Sequence, residues 1–491
     1  MLLLMFVHGT IFAGLASFVL FLSSRKKRCN TRLPPAAWTT PLIGCLPVVL
    51  RQNIGEEMFK IGKQLGPVVS THLGFQKFVI VNGPEAIKEA FRNSSIAGRA
   101  DVLYKEFAGS KGIIWPDDVK ETRKFIFKSS KHLEFTGNAT EFIIQKQITK
   151  LLKRLEKTNG KPFLVKNIFN IPLVNGLFNL LLGTVILHDD PDFHYVITSV
   201  NILATLPDPI MRACVLCPSL LKWLPLFVSG RDKVEGYFND VRSLVQKYAE
   251  NRLVVRVPNQ PRCMADALQD KIDETTNESS AFHHDQSPAV PILTDLVIGA
   301  IDTTAAMLEW IVLYLSEFPQ VQQKVQTEMD KIVGCGRIPS LSDRPKMHYT
   351  LAVIQEIFRL APVVPYGPRK ATENTTLMGY TIEKDSYVVG NFYGINIDPD
   401  LWENPKEFKP ERFLDTNGHF VKSDLLLIFG HGKRSCVGEL SARDQIFLFT
   451  TRFLLKFNIL PEKKLNNFSG RMAATWHCVD FEAKFVPRIQ S

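Results

Sequence analysis

The sequence predicts a mainly α-helical α+β protein, in which one large domain with small β-sheets follows an N-terminal membrane anchor. Residues 1–22 are almost wholly apolar, and long apolar or amphipathic stretches with helical periodicity recur along the chain. Segments with strand character are short and gather at 68–81 and 374–389. No Gly/Ser linker or internal repeat divides the rest of the 491 residues, so we expect residues 48–491 to form one domain.

The N-terminal segment is predicted to cross a membrane once. About twenty apolar residues span the hydrocarbon core of a bilayer. The basic cluster Arg25 to Arg28 follows the apolar run, which keeps the rest of the chain in the cytosol. A cleaved signal peptide would carry its charges before the apolar run and a small-residue site after it, and the sequence has neither. We therefore interpret 1–24 as an uncleaved signal anchor and 25–47 as a basic, proline-rich hinge.

Charge and cysteine content narrow the classes of function. The net charge is +10 and the pI about 9.1, but the lysines are dispersed and no arginine-rich tract follows the first thirty residues. This pattern argues against nucleic acid and leaves a membrane or an acidic protein as partner. The eight cysteines are scattered, which favours a reducing compartment. Cys214 and Cys217 have the spacing of a metal pair, but no second pair accompanies them, so we expect no metal there.

Local patterns place the remaining elements in order. Strands are predicted at 68–73 and 75–81, followed by a helix at 85–91. A charged amphipathic helix is predicted at 231–252, and a long apolar helix from Pro291 to about Phe318. Two further strand segments are predicted at 374–382 and 387–389, and an amphipathic helix at 440–457.

One cysteine lies on a glycine-rich turn directly before the last of these helices. The N–H groups of the turn and the positive end of the helix dipole would favour a thiolate at Cys436, and a thiolate suits a metal. Gly432 and Gly438 allow a positive φ or close backbone approach. Phe429 can pack against a flat cofactor, and Arg434 can pair with a carboxylate on it.

This turn resembles F-x-x-G-x-R-x-C-x-G, the haem-ligand signature of the cytochromes P450, at Phe429, Gly432, Arg434, Cys436 and Gly438. The resemblance implies a triangular helical domain around haem b, with Cys436 as the axial thiolate. It also implies a monooxygenase that uses O2 and electrons from NADPH-cytochrome P450 reductase, with cytochrome b5 as an optional second donor. The implied substrate is a lipophilic small molecule: a steroid, terpenoid, fatty acid or xenobiotic.

The middle of the long apolar helix, residues 299–304, resembles the family's (A/G)-G-x-(D/E)-T-T motif. The resemblance implies that Thr303 orders a water and that Asp302 relays protons from solvent, because oxygen activation consumes two protons. Ala300 replaces the second glycine of the motif. Alanine is the better helix former by about 0.8–1 kcal/mol, so we expect less local unwinding here.

Glu356 and Arg359 match the family's E-x-x-R motif, with both charges on one helical face. The resemblance implies that Arg412 completes a buried cluster that braces the cysteine turn. Such a cluster serves folding and haem retention, and loss of one member costs about 3–5 kcal/mol. Asn396 stands where the family usually has a histidine that touches the haem periphery, which puts propionate binding at that position in question.

Arg123 matches the arginine of W-x-x-x-R, which holds a haem propionate in the family, although Val119 stands where the tryptophan belongs. Basic residues around it recur at helical spacing. They have two interpretations: a solvated helix face, or a docking face for the reductase, which the resemblance favours. The residues assigned to this face are Lys120, Lys124, Lys128, Lys131 and Lys433.

The resemblance places the protein in the endoplasmic reticulum membrane with a cytosolic catalytic domain. The proline-broken apolar stretch 215–228 is too short to span, so it is either a peripheral membrane contact or a core connector. The segment 368–380 is most similar to arthropod members of the group that includes steroid hydroxylases. Two other functions stay open: a haem-thiolate isomerase or dehydratase, and a non-catalytic haem- or lipid-binding protein of the same fold.

Overall fold

The computed structural model describes residues 32–488, except 38, 41–42, 52, 136, 187–189, 207, 219–224, 287, 335, 466–467, 469 and 473. The predicted membrane anchor and the basic part of the hinge lie outside the described residues. The predicted membrane-contacting stretch 215–228 lies partly outside them.

Helices make up most of the described chain. They are α1 (Leu46–Val49), α2 (Ile54–Leu65), α3 (Pro84–Arg92), α4 (Leu103–Phe107), α5 (Lys120–His132), α6 (Asn138–Glu156), α7 (Asn170–Leu182), α8 (Pro191–Thr205), α9 (Pro209–Leu216), α10 (Leu226–Ser229), α11 (Arg231–Val254), α12 (Met264–Asp273), α13 (Ala289–Glu317), α14 (Pro319–Ile332), α15 (His348–Leu360), α16 (Phe392–Ile397) and α17 (Glu439–Lys456). Short 3-10 turns include Pro410–Phe413 and Gly432–Arg434.

The strands are short and form small sheets. They are β1 (Val68–Leu73), β2 (Gln76–Val81), β3 (Pro162–Leu164), β4 (Tyr366–Lys370), β5 (Thr375–Leu377), β6 (Tyr380–Ile382), β7 (Tyr387–Asn391), β8 (Phe457–Pro461), β9 (Gly470–Met472), β10 (Trp476–Cys478) and β11 (Glu482–Pro487). One sheet has the order β1-β2-β7-β4, with β2 and β7 parallel and the other pairs antiparallel. A second sheet has the order β3-β11-β8, and β5-β6 and β9-β10 are hairpins.

This architecture confirms the predicted mainly helical α+β class, and most predicted elements lie within two residues of their predicted bounds. The prediction of a strand over 374–382 is wrong in one respect. Met378 and Gly379 adopt φ values of +49° and +76°, which turn the chain and split the segment into the hairpin β5-β6. The residues on both sides of this turn have strand character, so the sequence pattern predicted one continuous strand.

Helix α13 is the axis of the hydrophobic core. Val297 and Ile301 in its first half pack with α7, α8, α11 and α12. Trp310 and Leu313 in its second half pack with α6, α15 and α17. Of the described helices, α13 alone is long and apolar enough to cross a membrane, but most of its apolar stretch is buried inside the protein. It is therefore the central core helix, and α17 with its preceding turn packs against it.

Candidate active site

The cysteine turn is fixed by backbone hydrogen bonds and by one close approach. The Cys436 N–H donates to the Phe429 carbonyl at 2.8 Å, and the Ser435 N–H donates to the Gly432 carbonyl at 3.0 Å. Gly432 has a φ of +69°, and a Cβ there would lie 2.1 Å from the carbonyl oxygen of Phe91 in α3. Only glycine fits this position, because any side chain would displace the backbone of α3.

Cys436 lies directly before α17, as predicted, but the turn alone does not hold a thiolate. Cys436 is exposed, yet desolvation by the surrounding protein raises the pKa of its thiol. The hydrogen bond from the Gly438 N–H and the charge of Arg123 lower this pKa, whereas the charge of Glu439 raises it. The predicted effect of the turn is present, because the Gly438 N–H lowers this pKa, but desolvation is the larger effect. A metal cation at the sulfur would supply the missing charge.

Four arginines converge beside the cysteine turn. Arg123 donates to the Ser435 carbonyl at 2.6 Å, and Arg369 donates to the Arg434 carbonyl at 3.1 Å. Arg434 donates to the carbonyls of Asp117 and Ala97 at 2.6 and 3.0 Å. Arg99 donates from Nε to the Ile114 carbonyl at 2.8 Å. Arg369 and Arg434 are only 5% and 6% exposed, so this is a largely buried cationic cluster.

Each of these guanidinium groups disfavours the charged form of its neighbours. Burial, followed by the charges of the neighbouring guanidinium groups, lowers the pKa of Arg99 to about 9 and that of Arg369 well below its ordinary value. Burial and the charge of Arg123 lower the pKa of Arg434 to about 10. In the part of the chain that the structure describes, Nη1 of Arg434 has no hydrogen-bond acceptor. A cluster of this kind fits a ligand with carboxylates, such as the two propionates of haem.

We expect Arg369→Met to have opposite effects on the haem-free and haem-loaded protein. The haem-free variant should unfold at a urea concentration no lower than that of the wild type, because a repelled buried cation is gone. The loaded variant should lose haem about tenfold more readily, since one charge-assisted hydrogen bond contributes roughly 1.5 kcal/mol. Haem transfer to an acceptor protein measures this loss, with the exposed Arg242→Met as control. An unchanged rate of haem loss would contradict the assignment.

The predicted bracing cluster is assembled as the motif implies. Glu356 and Arg359 are fully buried and share two hydrogen bonds of 2.8 Å, and Arg412 donates to Glu356 at 3.0 Å. Arg359 also donates to the carbonyls of Asn396 and Pro405, each at 2.7 Å. The cluster thereby ties α15 to the loop that leads to the cysteine turn.

The middle of α13 presents one partly accessible stripe inside the protein. Leu296, Gly299, Ala300 and Thr303 are not fully buried, and their spacing puts them on one helical face. Thr303 donates its hydroxyl to the Gly299 carbonyl at 2.8 Å. The helix is continuous through Ala300, as expected from the missing second glycine.

Asp302 lies beside this stripe and is 2% exposed. Thr475 donates to its Oδ2 at 2.8 Å, and Nε2 of His477 lies 3.1 Å from the same oxygen. The sequence did not single out either partner, because the hairpin β9-β10 is more than 170 residues away in the chain. Only the packing of this hairpin on α13 brings them together.

A second acid on α13 positions the loop before α5. Oδ2 of Asp295 accepts the N–H groups of Ile113 and Ile114 at 2.7 and 2.8 Å. The Ile114 side chain is the nearest group to Gly299, 3.9 Å from where a Cβ would be. The loop therefore forms a wall over the accessible stripe. Sequence reasoning missed Asp295 because an acid in an apolar helix gives no indication of its partner.

The other two residues that differ from the family motifs, Val119 and Asn396, are buried. Val119 is 6% exposed and precedes α5. Asn396 is 1% exposed in α16, and its backbone carbonyl accepts a hydrogen bond from Arg359.

The basic stripe of α5 is exposed along its length. Lys120, Lys124, Lys128 and Lys131 are all exposed, as is Lys433 in the cysteine turn. Phe127, 49% exposed, lies among them under the guanidinium of Arg123, 5.5 Å from the ring centre.

Comparison with known proteins agrees with this geometry. A family model for cytochrome P450 matches residues 34–484. The chain is similar to cytochrome P450 2C7 of Rattus norvegicus, with 31% identity over 458 residues and 91% of each chain covered. It is 30% identical to cytochrome P450 2F5 of Gorilla gorilla gorilla over 446 residues, 89% of each chain. Cytochrome P450 2J2 of Homo sapiens is 28% identical over 494 residues, 98% of this chain and 96% of the relative.

The matched span contains the cysteine turn, the accessible stripe of α13 and the bracing cluster. Its extent establishes the family independently of the signature motif. The structure agrees, because the exposed Cys436, a buried arginine cluster and the neighbouring Asp302 and Thr303 lie on or near α13 and the turn that packs against it. The chain thus belongs to the cytochrome P450 family and is a haem-thiolate monooxygenase with haem b as its cofactor.

Proposed function

We propose that this protein is a microsomal monooxygenase, which inserts one atom of O2 into a lipophilic small molecule with electrons from NADPH. The electrons arrive through NADPH-cytochrome P450 reductase. The single observation that carries this proposal is the accessible stripe on α13, where Thr303 lies next to the buried acid Asp302. An isomerase or dehydratase needs no such proton supply.

The chain's own residues have separate tasks in this proposal. Cys436 would bind the haem iron through its sulfur, and the buried arginines would hold the haem carboxylates. When bound, haem supplies the activation of O2. Thr303 orders a water at the accessible stripe, and Asp302 provides protons to it. The wall formed by Ile114 limits access of bulk water and gives a lipophilic substrate an apolar contact.

We further propose that residues 1–24 anchor the chain in the endoplasmic reticulum membrane, that 25–47 form a hinge, and that 48–491 form a cytosolic catalytic domain. The apolar N-terminal run and the basic cluster after it support this topology. The apolar, proline-broken stretch 215–228 keeps two interpretations: a peripheral membrane contact near the substrate entrance, or a core connector.

Substrate-dependent NADPH consumption tests the proposed function. With added reductase, a panel of steroids, terpenoids and fatty acids should contain compounds that raise NADPH consumption and yield a product 16 Da heavier. Thr303→Val should lower product per NADPH and raise hydrogen peroxide release, because the ordered water is lost. Rearranged product without NADPH would instead identify an isomerase, and haem loading without any turnover would identify a binding protein.

The exposed lysines of α5 are proposed to dock the acidic reductase. We expect the double variant Lys124→Glu/Lys128→Glu to lower the reductase-supported rate about tenfold at low ionic strength, and less at high salt because screening weakens the contact. Oxidation driven by an organic hydroperoxide, which bypasses the reductase, should be unchanged.

The matched control for this prediction is Lys146→Glu/Lys150→Glu. These two lysines are also exposed, also one helical turn apart, and lie on the neighbouring helix α6. If both double variants lower the rate equally, the basic stripe on α5 is an ordinary solvated face.

A further inference from the structure

A buried hydrogen-bond cluster joins helix α13 to the hairpin β9-β10. Thr475 and His477 both contact Oδ2 of Asp302, at 2.8 and 3.1 Å. Thr475 lies in the bend directly before β10 and His477 lies within β10, and both side chains reach the same oxygen. Trp476 between them is fixed to α13, since Nε1 of Trp310 donates to its carbonyl at 3.1 Å. The register of the hairpin on α13 is therefore well defined.

His477 is the member of this cluster that reaches solvent. Its side chain is 17% exposed, whereas that of Asp302 is 2% exposed. On this side of the molecule, Lys166 and Asp480 form an exposed ion pair at 2.9 Å. The thiol of Cys478 does not compete as a proton carrier, because burial raises its pKa well above the ordinary value. A proton can thus enter through His477 without crossing the apolar core.

The charges around His477 favour its protonated form. Burial lowers the pKa of His477, but the hydrogen bond with Asp302 and then the negative charges of Asp302 and Glu309 raise it above the ordinary value. Lys166 opposes this effect weakly. Glu309 lies two helical turns after Asp302, on the same face of α13, and accepts the Asn167 N–H at 2.7 Å. Burial raises the pKa of Glu309 to about 7.

Asp302 uses only one of its two carboxylate oxygens in this cluster. Oδ1 of Asp302 is buried and has no hydrogen-bond partner among the described residues. A buried carboxylate oxygen ordinarily has a partner, because an unmade hydrogen bond costs about 1–3 kcal/mol. This oxygen belongs to the residue that precedes Thr303, and it keeps the capacity to accept one more hydrogen bond.

We propose that His477 is the proton-exchange group between solvent and Asp302, a positioning residue for the proton delivery that the proposed monooxygenase function requires. The inference rests on that function. The imidazolium gives its Nε2 proton to Oδ2 of Asp302. The carboxyl group then rotates about its Cβ–Cγ bond and passes a proton to the water at Thr303. His477 takes a new proton from solvent, so one proton enters for each that leaves and no electrons move.

The first test is the pH profile of product formed per NADPH consumed, with the reductase present. In the wild type this ratio should fall as the pH rises through the raised pKa of His477. His477→Gln keeps a hydrogen-bond donor but does not titrate, so it should lower the ratio about tenfold at neutral pH and remove the pH-dependent fall. The control is His419→Gln, which removes an exposed histidine facing Asp415 at 3.7 Å and should follow the wild-type profile.

The second test needs no turnover. In the reduced, carbon monoxide-bound protein with ring-labelled histidine, the NMR signal that is lost in His477→Gln should titrate at a pH above that of an ordinary histidine. In Asp302→Asn it should titrate below that pH, because burial then dominates. This measurement on Asp302→Asn also stands if His477→Gln does not fold, with the signal assigned by selective broadening.

The outcomes separate the two proposals. A His477→Gln variant with wild-type coupling and an unchanged pH profile overturns the inference and leaves the monooxygenase function intact. A His477 signal that titrates normally in both proteins overturns it as well. If the wild type shows no substrate-dependent NADPH consumption, the proposed function fails, and the role of His477 in turnover fails with it. The titration then still decides whether His477 and Asp302 are coupled.

Discussion

Cys436→Ser should abolish the strongly red-shifted Soret band of the reduced, carbon monoxide-bound protein. A serine hydroxyl does not deprotonate in this turn, because the surrounding protein already raises the pKa of the more acidic Cys436 thiol. The haem would then lack the thiolate whose electron donation produces this band and favours O–O cleavage. We expect monooxygenase activity to fall at least a hundredfold. The measurement is the absorption difference spectrum with and without carbon monoxide.

Cys45→Ser is the matched control, because Cys45 is a partly buried free thiol in α1's N-terminal turn. It should keep the wild-type band. A red-shifted band that persists in well-folded Cys436→Ser would show that another thiolate binds the iron. No such band in haem-loaded wild type would mean that Cys436 is protonated or displaced, and would favour a haem-binding protein without oxygenase activity.

Arg359→Ala should be the most destabilising single change outside the haem ligand. It leaves the buried carboxylate of Glu356 with one guanidinium in place of two. The carbonyls of Asn396 and Pro405 also lose the donor that Arg359 provides. Loss of one partner of a buried ion pair costs about 3–5 kcal/mol. That is a large share of the roughly 5–15 kcal/mol by which a domain is stable. Urea unfolding and the fraction of bound haem after purification measure the effect.

The control for this prediction is Arg51→Ala. Arg51 is 59% exposed and pairs with Glu57 on the surface, so its loss should cost at most about 1 kcal/mol. Arg359→Lys should recover only part of the loss, because an ammonium group cannot reproduce two parallel hydrogen bonds to Glu356. If Arg359→Ala is no less stable than Arg51→Ala, the cluster does not brace the fold.

Local features were predictable because their causes lie within a few residues. The glycine-rich turn before α17, the helical periodicity of α13 and the alternation of β1 and β2 each depend on neighbours in the chain. The predicted charges on one face of α5 are exposed for the same reason. The split of 374–382 into a hairpin was missed, since a positive φ at Met378 is rare for a residue other than glycine or asparagine.

The electrostatics of the site could not be predicted in the same way. Arg123 and Arg434 were predicted from the sequence, but Arg99 and Arg369 join them only because the loop before α5, β4 and the cysteine turn pack together. Their altered pKa values are a property of the cluster, since each guanidinium is buried beside the others. The thiol of Cys436 follows the same rule, because desolvation in the folded protein outweighs the backbone groups that the sequence showed.

The fold class and the family were thus readable from the sequence, and so was the choice of Cys436 as the predicted haem ligand, because these depend on short motifs and on periodicity. The tertiary structure alone decided which distant side chains meet the motif residues. Asp302 shows the difference most clearly: its position before Thr303 is readable in the chain, whereas its contacts with Thr475 and His477 are not. Burial and charge act through space, and the separation of two residues in space is set by packing rather than by their distance in sequence.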